Sequence, residues 1–373
     1  MTDRRKFLAK ASGGVAALAT AAIADAPNVI AQPKIQWRMP TTFPAALDIQ
    51  FGAAQRLAKA VDEMSGGRFR IEVFPAGQIM LAFDCFDAAS EGKVEMFCGA
   101  SLFWDEPVPR ALANAREPAF QWFTTVPFGM NPEGMTAWFH QGDGLKLWEE
   151  AYAAFNLVPR PGALTAPEMG GWYRKKIATI GDYKGLKMRI PGLGGKVVAR
   201  AGATVVTLPP SDIYAALERG VIDTSEYISP HDDMTLGLHK TARYYYYPGW
   251  HQPGTTNEFV FNKKAYEALP VDLRRMLDHA AAAVQVYSLA TFHAKNAIAL
   301  ERLKTEFKGK VEILQFPAPM LRELKKFAAE VVKEESEKTP MAKKVHASFT
   351  KFQALLSPWD RVAEGAYHQF VAG

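Results

Sequence analysis

The glycine-rich segment Gly192-Leu193-Gly194-Gly195 is the part of this sequence that comes nearest to a phosphate-binding motif. It is not a GxGxxG dinucleotide motif, because Val197 stands where that pattern needs its last glycine. The zinc-protease pattern HExxH, the nucleophile elbow GxSxG and the Walker A loop do not occur in the sequence either. The sequence therefore favours a binding function, and an enzyme would need a cofactor site that no motif marks.

Histidine and cysteine, the two residue types that most often bind transition metals, show no ligand pattern. The 8 histidines are scattered without metal-site spacing. The only cysteines are Cys85, in a helical pattern, and Cys98, in a strand-like pattern. Their spacing forces no disulfide, so two buried apolar thiols are the favoured interpretation, although an oxidising compartment would permit a bridge.

The composition is that of a globular protein, with 48% hydrophobic and 22% charged residues. The formal net charge is +5, and no dense basic stretch interleaves with aromatic residues. This pattern argues against nucleic-acid binding, and the mild positive balance suits an anionic ligand.

The N-terminus has the pattern of an export signal. Arg4 and Arg5 form a twin-arginine pair, and a small, apolar run follows from Ala11 to Ile23. Residues 24–26 and 29–31 both offer small-residue cleavage sites. Residues 1–31 are therefore predicted to be a Tat-type signal peptide that sends the mature chain to the periplasm.

Strand and helix patterns alternate along the first part of the chain. Strands are predicted at residues 35–39, 68–74 and 94–97, with helices at 53–64 and up to Gly92 between them. A second set follows, with strands near 156–158, 171–174, 187–190, 204–208 and 221–228 and helices at 196–201 and 211–219. Each set predicts a parallel α/β sheet, and two such units can enclose a ligand cleft.

Long helices complete the prediction. Residues 271–308 contain neither Gly nor Pro, which predicts one long helix or two with a tight joint. Further helices are predicted at 318–337 and 341–370, the second kinked or broken at Pro358. An apolar stripe on that last helix packs on its own core or on a second subunit; its members are Val345, Phe349, Phe352 and Leu355.

The predicted fold class is α/β, a two-lobe periplasmic-binding-protein-like fold with a ligand cleft, a long connecting helix and C-terminal helices. The predicted boundaries are a signal peptide at 1–31, lobe I at 32–155, lobe II at 156–243, crossing strands and long helices at 244–340, and C-terminal helices at 341–373 with a possible role in dimerisation.

Several segments together resemble the DctP-type solute receptors of TRAP (tripartite ATP-independent periplasmic) transporters. The matching segments are residues 74–78 (FPAGQ), 125–129 (TVPFG), 169–175 (MGGWYRK), 187–190 (KMRI), 214–223 (YAALERGVID), 245–250 (YYYPGW) and 262–270 (NKKAYEALP). Their order and spacing are similar to the branch that binds 2-oxo acids and lactate beside a cation. The resemblance implies a receptor without catalytic activity that delivers a small organic acid to TRAP membrane subunits.

The resemblance also implies roles for individual residues. Arg189 matches the arginine that grips the substrate carboxylate, and a guanidinium can form two parallel bonds to a carboxylate. Glu226 and Tyr227 match an acidic–aromatic pair that faces the ligand and its cation. Gln252 falls near a further ligand position, and Trp172 and Trp250 are predicted to form apolar walls around a short carbon chain.

Glu168 departs from the family pattern, in which a glutamine is expected. Two carboxylates, Glu168 and Glu226, would favour Ca²⁺ over Na⁺, with Tyr227 and Gln252 as further candidate ligands. The alternative is that no cation binds and that Glu168 meets a polar group of another ligand. No catalytic cofactor is expected.

Two rival functions remain at this point. One is a Tat-exported enzyme on a similar fold, and the other is a receptor that feeds a sensor kinase.

Overall fold

The positions of strands and helices come from a computed structural model, which describes residues 34–104 and 117–371. The chain divides into two units, Met1–Ile35 and Gln36–Gly373, and all the described helices belong to the second. The predicted signal peptide at 1–31 lies outside the described residues.

The strands of the described residues are short and are distributed along the whole chain. They are β1 (Ile35–Pro40), β2 (Phe69–Phe74), β3 (Met96–Gly99), β4 (Leu157–Leu164), β5 (Gly171–Tyr173), β6 (Lys187–Arg189), β7 (Thr204–Val206), β8 (Thr224–Ser225), β9 (Tyr244–Tyr247), β10 (Thr256–Asn262) and β11 (Glu312–Gln315).

The three longest α-helices of the same residues lie between Val271 and Val362. The α-helices of the described residues are α1 (Gln50–Met64), α2 (Cys85–Ser90), α3 (Phe120–Thr124), α4 (Pro132–Gln141), α5 (Gly144–Ala153), α6 (Gly192–Arg200), α7 (Ile213–Glu218), α8 (Pro230–Thr235), α9 (Lys263–Ala268), α10 (Val271–Thr305), α11 (Ala318–Ser336), α12 (Pro340–Val362) and α13 (Glu364–Val371). Single turns of 3₁₀-helix lie at Ala82–Asp84, Ser101–Phe103, Ile180–Tyr183, Pro210–Asp212 and Leu238–Lys240.

The larger sheet has six strands in the order β11-β9-β5-β8-β6-β7. β6 is parallel to both β7 and β8, as the alternation of strands and helices predicts. β5 is antiparallel to β8 and β9, so the sheet is mixed rather than parallel throughout. The parallel strands β6 and β8 therefore end side by side, with Arg189 opposite Ser225.

The smaller sheets complete the α/β fold. β1 pairs with β2, and β10 lies between β3 and β4, antiparallel to both. The sequence assigns residues 157–164 to lobe II, but the structure places this strand in the same sheet as β3. The reason is a long-range pairing: β10 returns to this sheet almost a hundred residues after β4, and local patterns carry no information about that return.

The long helices follow the predicted positions. α10 is one continuous helix of 35 residues, about 52 Å long, which settles the choice between one helix and two. α12 continues through Pro358 and ends at Val362, so the predicted break at the proline is wrong. Pro358 deprives the Ala354 carbonyl of its helical donor, but Ala354 is exposed and water can take the place of that donor.

The predicted apolar stripe on α12 divides into two parts. Val345 and Phe349 are buried in the protein's own core, where the Phe349 ring packs edge-on against Trp138 at 5.3 Å. Leu355, further along the helix, is 70% exposed. Cys85 and Cys98 are both buried and free, which confirms the interpretation as apolar thiols. Within the described part of the chain, no helix is long and apolar enough to cross a bilayer.

Candidate functional site

The candidate ligand residues lie at strand ends of the six-stranded sheet. Arg189 is the last residue of β6, and Glu226 and Tyr227 directly follow β8. Glu168 lies in the segment that leads into β5, and Gln252 follows β9. Because the carboxyl ends of β6 and β8 lie at the same edge, their polar side chains meet where α/β sheets commonly hold ligands.

These residues line one small cavity of ≈ 30 Å³. Its polar lining includes Glu168, Arg189, Glu226, Tyr227 and Gln252, joined by Thr255 and Asn257. Its apolar lining consists of Phe43, Ala100, Leu102 and Phe103 from the N-terminal part of the chain, together with Pro191 and Ile228. The structure therefore brings together five of the seven residues that the sequence singles out.

Arg189 and Glu226 form a fully buried ion pair at the cavity. The Arg189 Nη1 group donates to Glu226 Oε1 over 2.7 Å and to the Glu226 carbonyl over 3.1 Å, and both residues are 1% exposed. The Nε and Nη2 groups of Arg189 donate to the Leu208 carbonyl over 3.2 and 3.1 Å. A guanidinium has five N–H donors, so these four bonds fix its plane and leave one Nη2 donor for another acceptor.

Glu168 is a second carboxylate that lines the same cavity. Its Oε1 atom accepts a bond from Thr165 Oγ1 over 2.9 Å, whereas Oε2 has no hydrogen-bond partner among the described residues. Burial, followed by the negative charge of Glu226, raises the pKa of Glu168 well above its usual value. Such a buried carboxylate needs a proton or a cation to be stable.

His251 adds an imidazole to this carboxylate pair. Its Nε2 atom lies 3.2 Å from Glu226 Oε2, and ligating atoms of Glu168, Glu226 and His251 all lie within 4.8 Å of one another. The donor set, two carboxylates with one unpartnered oxygen, fits a hard cation. His251 is not among the residues predicted from the sequence, because no pattern distinguishes it from the candidate ligand Gln252 that follows it.

The two tryptophans that the sequence places at the ligand lie elsewhere. Trp172 is completely buried in the core, where its Nε1 group donates to Asp233 Oδ2 over 2.9 Å and its ring stacks on Tyr245 at 4.0 Å. Trp250 stacks on Phe128 at 5.7 Å. Neither lines the cavity, so the prediction of tryptophan walls is wrong. Trp172 is paired in register with Tyr245, so both side chains lie on the same face of the sheet, where both donate to Asp233 of α8.

The comparisons of this chain with known proteins all point to the same family. Residues 41–339 match the model of the DctP family, described as bacterial extracellular solute-binding protein, family 7. A monocarboxylate 2-oxoacid-binding periplasmic protein of Nostoc sp. is 36% identical over 91% of this chain and 90% of its own length.

Solved structures of TRAP solute-binding proteins have the same fold. The protein of Bordetella bronchiseptica, a dimer with calcium and picolinate, is 35% identical with a TM-score of 0.86 over 91% of this chain and 97% of its own. Those of Pseudoalteromonas atlantica, with sodium and pyruvate, and Colwellia psychrerythraea, with calcium and pyruvate, are 35% and 34% identical. Each has a TM-score of 0.85 over 90% of this chain and 99% of its own. The chain belongs to the DctP family of bacterial extracellular solute-binding proteins.

Proposed function

We propose that this protein is a TRAP receptor that binds a short 2-oxo or 2-hydroxy monocarboxylate together with a divalent hard cation. The observation that carries the proposal is the buried pair Glu168 and Glu226, whose ligating atoms lie within 4.8 Å of one another beside Arg189 in one small cavity. The relatives that bind pyruvate with sodium or calcium support the same class of ligand.

Different residues of the cavity would bind the cation and the acid. Glu168 and Glu226 would hold the cation, with Tyr227 and Gln252 close by. The cation would offer its open positions to the carboxylate and the 2-oxygen of the acid, which favours 2-oxo and 2-hydroxy acids over simple carboxylates. Arg189 would bind the outer carboxylate oxygen through its remaining donor.

Two carboxylates favour Ca²⁺ over Na⁺ at this site. Each negative charge near a hard cation strengthens binding of a divalent ion more than that of a monovalent ion. A cation also offsets the unfavourable burial of the Glu168 carboxylate, which no hydrogen bond to Oε2 relieves.

The apolar lining sets the size of the acid. Phe43, Leu102 and Phe103 line the same small cavity of ≈ 30 Å³ as the charged residues, which favours a short acid. The cleft would open to admit the acid, and its closure around the bound acid would create the surface that the TRAP membrane subunits recognise. We propose that residues 1–31 direct this receptor to the periplasm by the Tat route.

A receptor is distinguished from an enzyme by the fate of its ligand. Pyruvate with Ca²⁺ should raise the thermal unfolding temperature of the mature chain, and mass spectrometry should recover the acid unchanged after prolonged incubation. Conversion of the acid would show an enzyme, and the absence of stabilisation by any 2-oxo or 2-hydroxy acid would contradict the ligand class.

We also propose that the protein forms a homodimer through its C-terminal helices. Large apolar side chains at the end of α12 and along α13 are exposed; they are Leu355, Trp359, Val362, Tyr367, Phe370 and Val371, each at least 60% exposed. An exposed apolar surface of this kind marks an interaction site, and one relative with 35% identity is a dimer.

Truncation after Ser357 should therefore convert the dimer to a monomer. This truncation removes most of the exposed apolar set and keeps Val345 and Phe349 in the core. Light scattering measures the molar mass of the mature chain, of the truncated chain and of a Val221→Ser control. Val221 is an apolar residue that is 59% exposed outside the C-terminal helices. A full-length mature chain that is already monomeric would contradict the dimer.

A further inference from the structure

A second group of metal-ligating side chains lies outside the acid cavity. Ligating atoms of Asp48, His231 and Asp232 all lie within 4.8 Å of one another. Asp48 comes from the turn that precedes α1, whereas His231 and Asp232 belong to α8. None of the three lines the cavity described above.

Asp232 is the least compensated member of this group. It is completely buried, and neither of its carboxylate oxygens has a hydrogen-bond partner of acceptable geometry among the described residues, although the Gln50 side chain lies beside it. Burial raises the pKa of Asp232 to about 8. A carboxylate in this position lacks the partner that buried charges normally have.

The other two members already contact each other. His231 Nε2 lies 2.8 Å from Asp48 Oδ1, and the Lys295 ammonium contacts the other oxygen, Oδ2. The His231 backbone N–H donates to Asn296 Oδ1 over 3.1 Å, which ties α8 to α10. Tetrahedral zinc with bonds of about 2.0–2.1 Å needs ligand atoms roughly 3.3 Å apart. A shift of about half an ångström would therefore admit the metal between His231 and Asp48, while Lys295 keeps its contact as an outer partner.

We propose that Asp48, His231 and Asp232 bind a first-row transition metal of the Zn²⁺ type, at a site separate from the acid cavity. Zn²⁺ accepts imidazole and carboxylate ligands together, whereas a hard cation such as Ca²⁺ prefers oxygen ligands alone. The acid cavity also holds one histidine beside two carboxylates, so variants at both places are needed to assign bound zinc to one of them. The metal would join the start of α1 to α8, and it would supply the positive charge that Asp232 lacks. The partial exposure of His231 and the exposure of Asp48 give the ion a route from solvent.

The experiment uses the untagged mature chain after removal of metals, titrated with ZnCl₂ by calorimetry and with CoCl₂ by visible absorption. Zinc should bind and raise the thermal unfolding temperature, and cobalt should give the intense absorption of a tetrahedral site. His231→Gln and Asp232→Asn should each weaken zinc binding roughly tenfold or more. The surface control His279→Gln should bind zinc as the wild type does.

Asp232→Asn separates lost binding from lost folding. It removes an uncompensated buried carboxyl group without changing its shape, so the metal-free unfolding temperature should stay the same or rise. Glu168→Gln, in the acid cavity, should leave zinc binding at the second group unchanged. A wild type that binds no zinc, or His231→Gln and Asp232→Asn variants that bind it unchanged, would overturn the proposal.

Discussion

Replacement of Arg189 by alanine should weaken the binding of a 2-oxo acid by about 2–5 kcal/mol, roughly 30- to 5,000-fold. Arg189 is buried, its plane is fixed by bonds to Glu226 and to the Leu208 carbonyl, and one Nη2 donor remains for the ligand. Without the guanidinium, the acid would enter a buried cavity with its outer oxygen unpaired. Titration calorimetry with pyruvate and Ca²⁺ measures the loss.

Two further variants separate the loss of binding from a loss of stability. Arg189→Ala also leaves Glu226 buried without its ion-pair partner, which should lower the free energy of unfolding by about 3–5 kcal/mol. Arg189→Lys keeps the positive charge but cannot form two parallel hydrogen bonds to a carboxylate, so it should restore stability more than affinity. Arg200→Ala, which breaks a surface ion pair with Glu330 and Glu334, should leave both quantities nearly unchanged. If Arg189→Ala binds every acid tested with nearly the affinity of the wild type, Arg189 is not the residue that binds the carboxylate.

Replacement of Glu168 by glutamine should shift the cation preference of acid binding from Ca²⁺ toward Na⁺. The substitution removes one of the two negative charges near the cation and keeps an oxygen ligand in place. Ca²⁺-supported affinity for pyruvate should fall by a factor on the order of 100 or more, because the lost charge interaction is worth several kcal/mol at an effective dielectric constant typical of proteins. Calorimetry in matched CaCl₂ and NaCl buffers, with Glu335→Gln as a buried-carboxylate control, gives the comparison.

The same variant should change the pH dependence of calcium binding. Burial and the charge of Glu226 raise the pKa of Glu168, so a proton competes with the cation at pH values below that raised pKa. Calcium affinity of the wild type should therefore rise as the pH rises toward the pKa of Glu168, and the dependence should be weaker in Glu168→Gln. Calcium and sodium preferences that are identical in the two proteins would show that Glu168 is not a cation ligand.

The polar residues of the site were predicted through the resemblance to DctP receptors, and the strand pattern places them at strand ends. Arg189 closes a short strand and Glu226 follows another, and the parallel alternation of strands and helices brings such ends to one edge. The resemblance to DctP receptors then assigned roles to residues that local physics alone would describe as buried charges. His251 lies one residue from a predicted position, and no spacing rule distinguishes it from its neighbour.

The apolar half could not be predicted in this way. Phe43 and Phe103 come from turns of the N-terminal part of the chain, which reach the cavity only through long-range packing. Trp172 lies on the sheet face where its indole donates to Asp233 of α8, and a three-residue strand shows no alternation that would fix this face in advance. The position of β10 between β3 and β4 could not be predicted for the same reason, since strand order depends on contacts between distant segments.

The most direct test of the account is the affinity of the mature wild-type chain for pyruvate with and without a cation. Calorimetric titrations would be made on protein stripped of cations by a chelator and dialysed into a sodium-free buffer, and repeated after addition of Ca²⁺. We expect no measurable binding in the stripped protein and full binding after Ca²⁺ is restored, because the buried carboxylates Glu168 and Glu226 would otherwise repel the acid. Equal affinity in the stripped and the calcium-loaded protein would contradict the proposed site.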